Sequence, residues 1–331
     1  MMSRFRRLVT AAGHLPRGRG RPPQAAKAPR RWQRRQGRTF YVFVAPWVIG
    51  FVILTLAPII YAFGVSLTNY DGSSSFWRFI GFRNYVEFFT KDSAGWASLL
   101  RTLGYAAIVV PLSVVGGLAL ALLVNQRIRA RGALRALFFL PSVVPVVATA
   151  ITFRLIFNRD AGLFSGFMGL FGVHDVTWLS DPWAFYALIV MTLWGLGGGM
   201  IISLAALQDV PSELEEAARL DGASRWRYIR SILVPLISPV LYFQVVTGII
   251  AALQMLVQPL LLAETNRIAS SAQVPTSSTL FMVKVYNEFF ISNRFGYGSA
   301  MLWIFFLVIL ILTLLLQRLS RRFVFYQVGG D

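Results

Sequence analysis

Covalent chemistry needs nucleophiles, bases or metal ligands brought together, and this sequence supplies few of them. Its three lysines, Lys27, Lys91 and Lys284, follow Ala26, Thr90 and Val283. A phosphate-gripping P-loop needs a glycine directly before its lysine, so that backbone N–H groups and the ammonium share the phosphate. The chain has no ATP site of that kind, and no cofactor is expected to bind it. With no cysteine, disulfides and thiol chemistry are excluded. His14 and His174 have no neighbours at metal-ligand spacing, so no metal site is expected. No grouping of nucleophile, base and oxyanion donors stands out, and no catalytic residue is assigned.

What remains is non-covalent recognition, in two places. Gln244, Thr247, Gln254 and Gln258 share one long apolar run. On a helix turning by about 100° per residue they fall within an arc of about 80°. Amides donate and accept, as a hydroxyl-rich solute requires. The same groups also bond helix to helix inside membranes, and both readings stand. Trp194 precedes Gly195, Gly197, Gly198 and Gly199. Its ring is placed either to stack on a solute or to pack, and the glycines allow close approach or flexing. The second place is a polar, helix-forming loop over residues 208–235.

The elements that carry these residues are membrane helices. Of 331 residues 56% are apolar and 14% charged, whereas a soluble domain is about a quarter charged. Apolar runs long enough to cross a bilayer give six spans, at 40–67, 102–124, 136–157, 183–207, 236–262 and 298–317. The fold class is all-α integral membrane. With the N-terminus inside, 23 of the 32 Lys and Arg residues lie in the tail, 125–135, 208–235 and 318–331. Positive residues stay on the cytoplasmic side, so both termini and the 208–235 loop are expected there, in a multi-pass membrane protein. Prolines occur in the spans, Pro141, Pro145, Pro239 and Pro259 among them, as kinks or as breaks that line a cavity. No Asp or Glu falls inside a span, so the buried carboxylate that couples transport to an ion gradient is missing.

Residues 1–39 hold twelve Lys and Arg and no acid. They read as a disordered cytoplasmic tail, with contact to anionic lipid as a second role. Without a folded platform beside the charges, no nucleic-acid partner is expected.

The loop has its own punctuation. Ser212 and Glu215 have the spacing of a capping box. Glu213, Glu215 and Glu216 sit where a helix dipole favours anions. Gly222 is placed to end the helix in a left-handed turn. A second helix is expected from Ser224 to Pro235. Taken alone, such a loop could also lie on the inner leaflet, with Arg219, Arg225, Arg227 and Arg230 at lipid phosphates.

Glu216-Ala217-Ala218, Asp221-Gly222-Ala223 and then Ile232 and Pro235 closely resemble the EAA motif of permease subunits of binding-protein-dependent ABC importers, in the MetI-like superfamily. Ala45-Pro46-Trp47, Ser66-Leu67-Thr68-Asn69-Tyr70 and Gly81-Phe82-Arg83-Asn84-Tyr85 are similar to the first span and outer loop of the sugar-type, maltose-permease-like members. The similarity covers 40–325. It departs after the fifth span, where Ala263-Glu264-Thr265-Asn266-Arg267-Ile268 replaces a Gly-Gly-Pro turn within an atypical loop at 263–297.

The resemblance implies a six-helix permease bundle whose coupling helix docks in a separate ATPase. Glu216 would be the charged contact, Ala217 and Ala218 the close-packed face, Gly222 the angle-setting turn. Asp221, Ala223 and Pro235 complete the motif. Implied partners are two ATPase subunits that use ATP and magnesium, a second permease in a heterodimer, and an external solute-binding protein. The domains are then the 1–39 tail, the 40–325 permease domain and a 326–331 tail. The implied function is sugar import by alternating access. An importer for amino acids or peptides, an ion-coupled carrier and a membrane-embedded enzyme are the competing readings.

Overall fold

The computed structural model describes residues 30–73, 77–126, 129–263 and 274–323, with side chains within 40–320. The tail at 1–29, residues 264–268 and the C-terminal 326–331 lie outside the described residues. The chain divides into two units, Met1–Ile60 and Tyr61–Asp331.

In the first unit, α1 (Arg30–Phe51) continues into a π-helical turn, Val52–Leu56. None of its described residues from 40 to 56 is buried. A helix that is apolar all round without an inward face suits a lipid solvent. α1 starts ten residues before position 40, so the basic stretch from Arg30 is helix and not tail. Arg and Gln propagate a helix well once an apolar span has nucleated it. α2 (Ala57–Ser66) completes the candidate span Phe40–Ser66.

The second unit is also helical among its described residues. α3 (Arg83–Thr90), α4 (Ser93–Val124), α5 (Arg131–Val143), α6 (Val146–Ile156), α7 (Leu163–Gly169), α8 (Ala184–Leu193) and α9 (Gly197–Gln208) come first. α10 (Ser212–Leu220), α11 (Arg225–Tyr228), α12 (Val234–Leu236), α13 (Ser238–Leu253), α14 (Val257–Leu262), α15 (Phe281–Phe290) and α16 (Phe295–Phe323) follow. Four stretches are long and apolar enough to span: Phe40–Ser66, Ser93–Val124, Ala184–Gln208 and Phe295–Ser320. Two more are bent pairs, α5–α6 by 96° and the α11–α12 segment with α13 by 69°. Among the described residues there are thus four candidate spans, or six if each bent pair is one broken crossing.

The breaks follow the prolines. Val144, ahead of Pro145, is extended at ψ 130°, because a proline ring crowds the α conformation of its predecessor. The third span is therefore not one helix over 136–157. The fifth is not one helix over 236–262 either. It bends at Ile237, ahead of Ser238-Pro239, stops at Leu253 and restarts at Val257. Pro259 has no N–H and its ring crowds the Met255 carbonyl four residues back, and here the helix is interrupted over Gln254–Leu256, whereas α4 runs on through Pro111. The second span starts at Ser93 and not near 102, since Asp92 caps it by accepting from the Gly95 N–H at 2.7 Å.

Glycines set the helix spacing. A Cβ on Gly197 would lie 2.0 Å from the Phe138 carbonyl oxygen, and one on Gly117 3.1 Å from the Gly199 carbonyl carbon. The glycine run thus serves close crossing of α9 with α5 and α4. The apolar interior forms two clusters. The larger includes Phe88, Tyr105, Leu188, Leu253, Phe281 and Met301. The smaller holds Ala121, Val124, Met200, Leu204, Leu207, Leu233 and Ile237.

The chain alternates between two ends, with α10–α12 at one and α3, α7 and α15 at the other. At the second end Asn84 donates to the carbonyls of Ser66 (2.8 Å) and Thr68 (2.9 Å). The Tyr85 hydroxyl meets Ser66 Oγ at 2.7 Å. Ser66–Tyr70 and Gly81–Tyr85 are therefore a clamp on the end of the first span. A charged knot adjoins it. Arg294 pairs with Glu87 and Glu288, Lys284 reaches Glu288 at 2.6 Å, and the Tyr297 hydroxyl donates to Asp92 at 2.7 Å.

Candidate coupling and solute-contact sites

The 208–235 loop is a hairpin of short helices. Pro211 adopts ψ 134° and leaves Ser212 as the first helical residue, one place too late to cap, and no side chain caps α10. The expected capping box is therefore absent. Glu215 pairs instead with Arg219, one turn on. The far end is as expected. Gly222 takes φ +72°, a left-handed value that costs glycine little. The Gly222 N–H donates to the Arg219 carbonyl (3.1 Å) and that of Ala223 to Ala218 (2.9 Å), the two bonds of a Schellman cap.

Ser224 then starts the second arm, its hydroxyl accepting from the Arg227 N–H at 3.4 Å. A π-helical turn, Ile229–Leu233, leads into α12, where Pro235 is half-buried. Leu233 and Ile237 seat this arm on the smaller apolar cluster, beside Val124, Leu204 and Leu207. A cleft of about 210 Å³ lies under the bend, lined in part by Asp209, Pro211, Ile237 and Pro239.

The hairpin sorts the motif residues. Glu216, Ala217, Asp221 and Gly222 are exposed, Ala223 is half-buried and Ala218 is buried. The alanine pair is not one face: neighbours on a helix point about 100° apart, and only Ala217 is open to a partner. Two further residues that spacing did not single out are bared beside it. Leu220 is 89% exposed and Trp226 70% exposed, on either side of Gly222. Large apolar side chains bared amid charge are the signal that finds them.

The polar arc of the fifth span comes apart. Gln244 is buried, and its Nε2 donates to Ser203 Oγ on α9 at 2.9 Å. That places it in a helix–helix bond. A Cβ on Gly199 would come within 3.1 Å of Gln244 Oε1. The exposed Thr247 donates its hydroxyl to the Phe243 carbonyl at 2.8 Å. Gln254 sits exposed at the C-cap of α13, and Gln258 is half-buried on α14. With the helix ending at Leu253, the four residues do not share one continuous face. Trp194 is exposed and meets Phe153 edge-on, ring centroids 5.9 Å apart.

Residues 113–325, which include the whole hairpin, match the family described as binding-protein-dependent transport system inner membrane component. The chain belongs to this family of transport permeases. Among relatives, this permease is 31% identical over 297 residues to the probable ABC transporter permease protein YesP of Bacillus subtilis, covering 89% of this chain and 94% of that one. It is 30% identical to the trehalose/maltose transport system permease protein MalF of Thermococcus litoralis (87% and 95% covered). It is equally similar, at 30%, to the lactose transport system permease protein LacF of Rhizobium radiobacter (85% and 94%). In fold it matches a chain of a bacterial ABC transporter involved in the import of the acidic polysaccharide alginate. That match has TM-score 0.75 at 22% identity over 89% of this chain and 99% of that one.

Proposed function

We propose that this permease is one half of the membrane channel of an ATP-driven importer for a sugar or oligosaccharide. The observation that carries the reading is the Schellman-capped hairpin at Gly222, with Glu216, Ala217, Leu220 and Trp226 turned outward and the second arm seated on the ends of two spans. That is the form of a lever an external protein grips. Glu216 supplies the charged contact, Ala217 the close approach, Leu220 and Trp226 the apolar anchors. Asp221, Gly222 and Ala223 hold the turn, and Pro235 leads into the bend at Ile237. The sugar class is supported by relatives whose names are trehalose/maltose, lactose and arabinooligosaccharide permeases.

With no P-loop in the chain, hydrolysis falls to two ATPase subunits that hold ATP and magnesium. One hairpin per chain calls for a second permease to engage the second ATPase. A solute-binding protein delivers sugar at the end carrying α3, α7 and α15, and both termini are cytoplasmic, in keeping with the Lys and Arg asymmetry. ATP-driven closure of the ATPases rocks the bundle and exposes the path to the other side. Gln254, Trp194 and Thr247, with the half-buried Gln258, are the groups along that path, while Gln244 is a structural bond.

The test is uptake of labelled di- and oligosaccharides by proteoliposomes carrying both permeases and both ATPases. The expected result is uptake only with ATP at the hairpin side and binding protein opposite. Uptake driven by an ion gradient without the ATPases would overturn it.

A further inference from the structure

Between the third and fourth spans lies a short helix to which the proposed function assigns no role. α7 is a seven-residue helix reached from α6 through Asn158 and Gly162. One side of it is tied down. The Ser165 hydroxyl donates to the Asn158 carbonyl at 2.8 Å and accepts from the Trp178 indole at 3.1 Å. The Phe164 ring sits between Phe157 (5.1 Å) and Trp178 (4.8 Å). The other side is bare. Leu163 is 79% and Leu170 82% exposed, with Phe167 and Phe171 beside them.

The position of this bare side says what covers it. α6 leads up to α7 with Ile151 and Leu155 exposed one turn apart, and α8 leads away with Tyr186 and Val190 exposed. α6 and α8 belong to segments apolar enough to cross a membrane, so the bare side of α7 lies at the end of two candidate spans, where the hydrocarbon meets the headgroups. Trp178, which packs on Phe164 of α7, forms with Trp183 and Tyr186 a chain of ring contacts 5.6 and 6.0 Å apart. Such amphipathic rings favour the headgroup boundary. The charges lie apart from the bare side chains: Arg159 pairs with Asp175 at 3.2 Å in the exposed segments that flank the helix. An apolar edge beside exposed charges is the pattern of a helix lying in the interface plane.

We infer that α7 is an interfacial anchor, with Leu163, Phe167, Leu170 and Phe171 buried among the acyl chains of the outer leaflet. It braces the top of the broken third span, which has no straight helix to hold its depth. The inference rests on the orientation proposed above.

The chain has no cysteine, so single thiols can be read without background. Leu170→Cys, and separately Phe167→Cys, would be labelled with an environment-sensitive fluorophore in the full chain, in nanodiscs of phosphatidylethanolamine and phosphatidylglycerol. Asp175→Cys is the aqueous reference. The expected result is a blue-shifted emission at 170 and 167 but not at 175. Spin-labelled lipid bearing its nitroxide near the headgroup should quench it more than lipid labelled at the chain end. Emission at 170 and 167 matching that at 175 would overturn the inference. So would a blue shift that lipid nitroxides do not quench, or one that appears only when binding protein or a second permease is added, since a protein would then be the cover. A membrane-impermeant thiol reagent applied to intact cells tests orientation separately. If it reaches Asp175→Cys only after lysis, the proposed orientation fails whichever surface α7 meets.

Discussion

Replacement of Gly222 isolates the coupling hairpin from everything else in the molecule. A Cβ built there meets nothing within 4 Å, so a larger side chain causes no collision. The whole cost comes from φ +72°. An L-residue other than Asn or Asp resists that conformation by about 1–2 kcal/mol. At about 1 kcal/mol, Gly222→Ala shifts the balance between capped and uncapped hairpin about fivefold, and Gly222→Val at about 2 kcal/mol about thirtyfold. Asn tolerates the left-handed region, so Gly222→Asn should transport nearly as well as the parent. The assay is initial uptake in proteoliposomes, with ATPase co-purification as a second readout. The expected order is Gly, Asn, Ala, Val, with expression and membrane insertion equal in all four. Two results would refute the reasoning: normal uptake by Gly222→Val, or Asn failing as badly as Val, which would make size and not backbone angle the requirement.

Gln254→Leu together with Gln258→Leu should weaken uptake or alter solute selectivity, and unchanged kinetics across a panel of sugars would remove these amides from the path. Arg294→Met leaves the buried carboxylate of Glu288 with Lys284 as its charged partner, which should cost about 2 kcal/mol of stability and lower the melting temperature of the detergent-solubilised chain. An unchanged melt would mean the knot is not stabilising. Asp181 accepts from the backbone N–H groups of Ser277 (2.6 Å) and Thr276 (3.0 Å). Burial alone would raise its pKa, but these bonds outweigh it and hold the carboxyl below the usual carboxylate range. The stabilisation is present above the ordinary value near 3.9 and lost as pH falls through the lowered one. Asp181→Ala should therefore be less stable than the parent by about 1 kcal/mol near neutrality, and the two melting curves should converge below about pH 4. A gap that persists in acid would refute this.

The all-helical membrane architecture and four of the candidate spans were legible in the sequence because a bilayer demands long apolar runs, and long apolar runs are hard to hide. Their interruptions were not. Val144-Pro145 and Gln254-Met255-Leu256 sit in sequence nearly as apolar as a helix, and a proline in a membrane run is compatible with a kink or a full break. The wheel that gathered Gln244 with Gln258 failed for that reason. Gly222 was legible because glycine after a charged helical stretch has few other uses. Ser212 misled because Pro211 set the chain direction first and moved the cap site. The knot around Arg294 escaped notice because it joins two distant segments, Glu87 and Asp92 on one side and Lys284, Glu288 and Arg294 on the other, and all lie outside every span.

The smaller apolar cluster has a consequence for how force enters the permease. Leu233 and Ile237, at the foot of the hairpin, pack with the last turns of α4 and α9, while the larger cluster is a separate body of side chains. Close-packed interiors transmit displacement and do not absorb it. In the proposed coupling role, a tug on the hairpin is delivered first to the feet of the second and fourth spans, which cross closely at Gly117 and Gly199 as one strut. The rest of the bundle follows that strut, as a door follows the post to which it is hung.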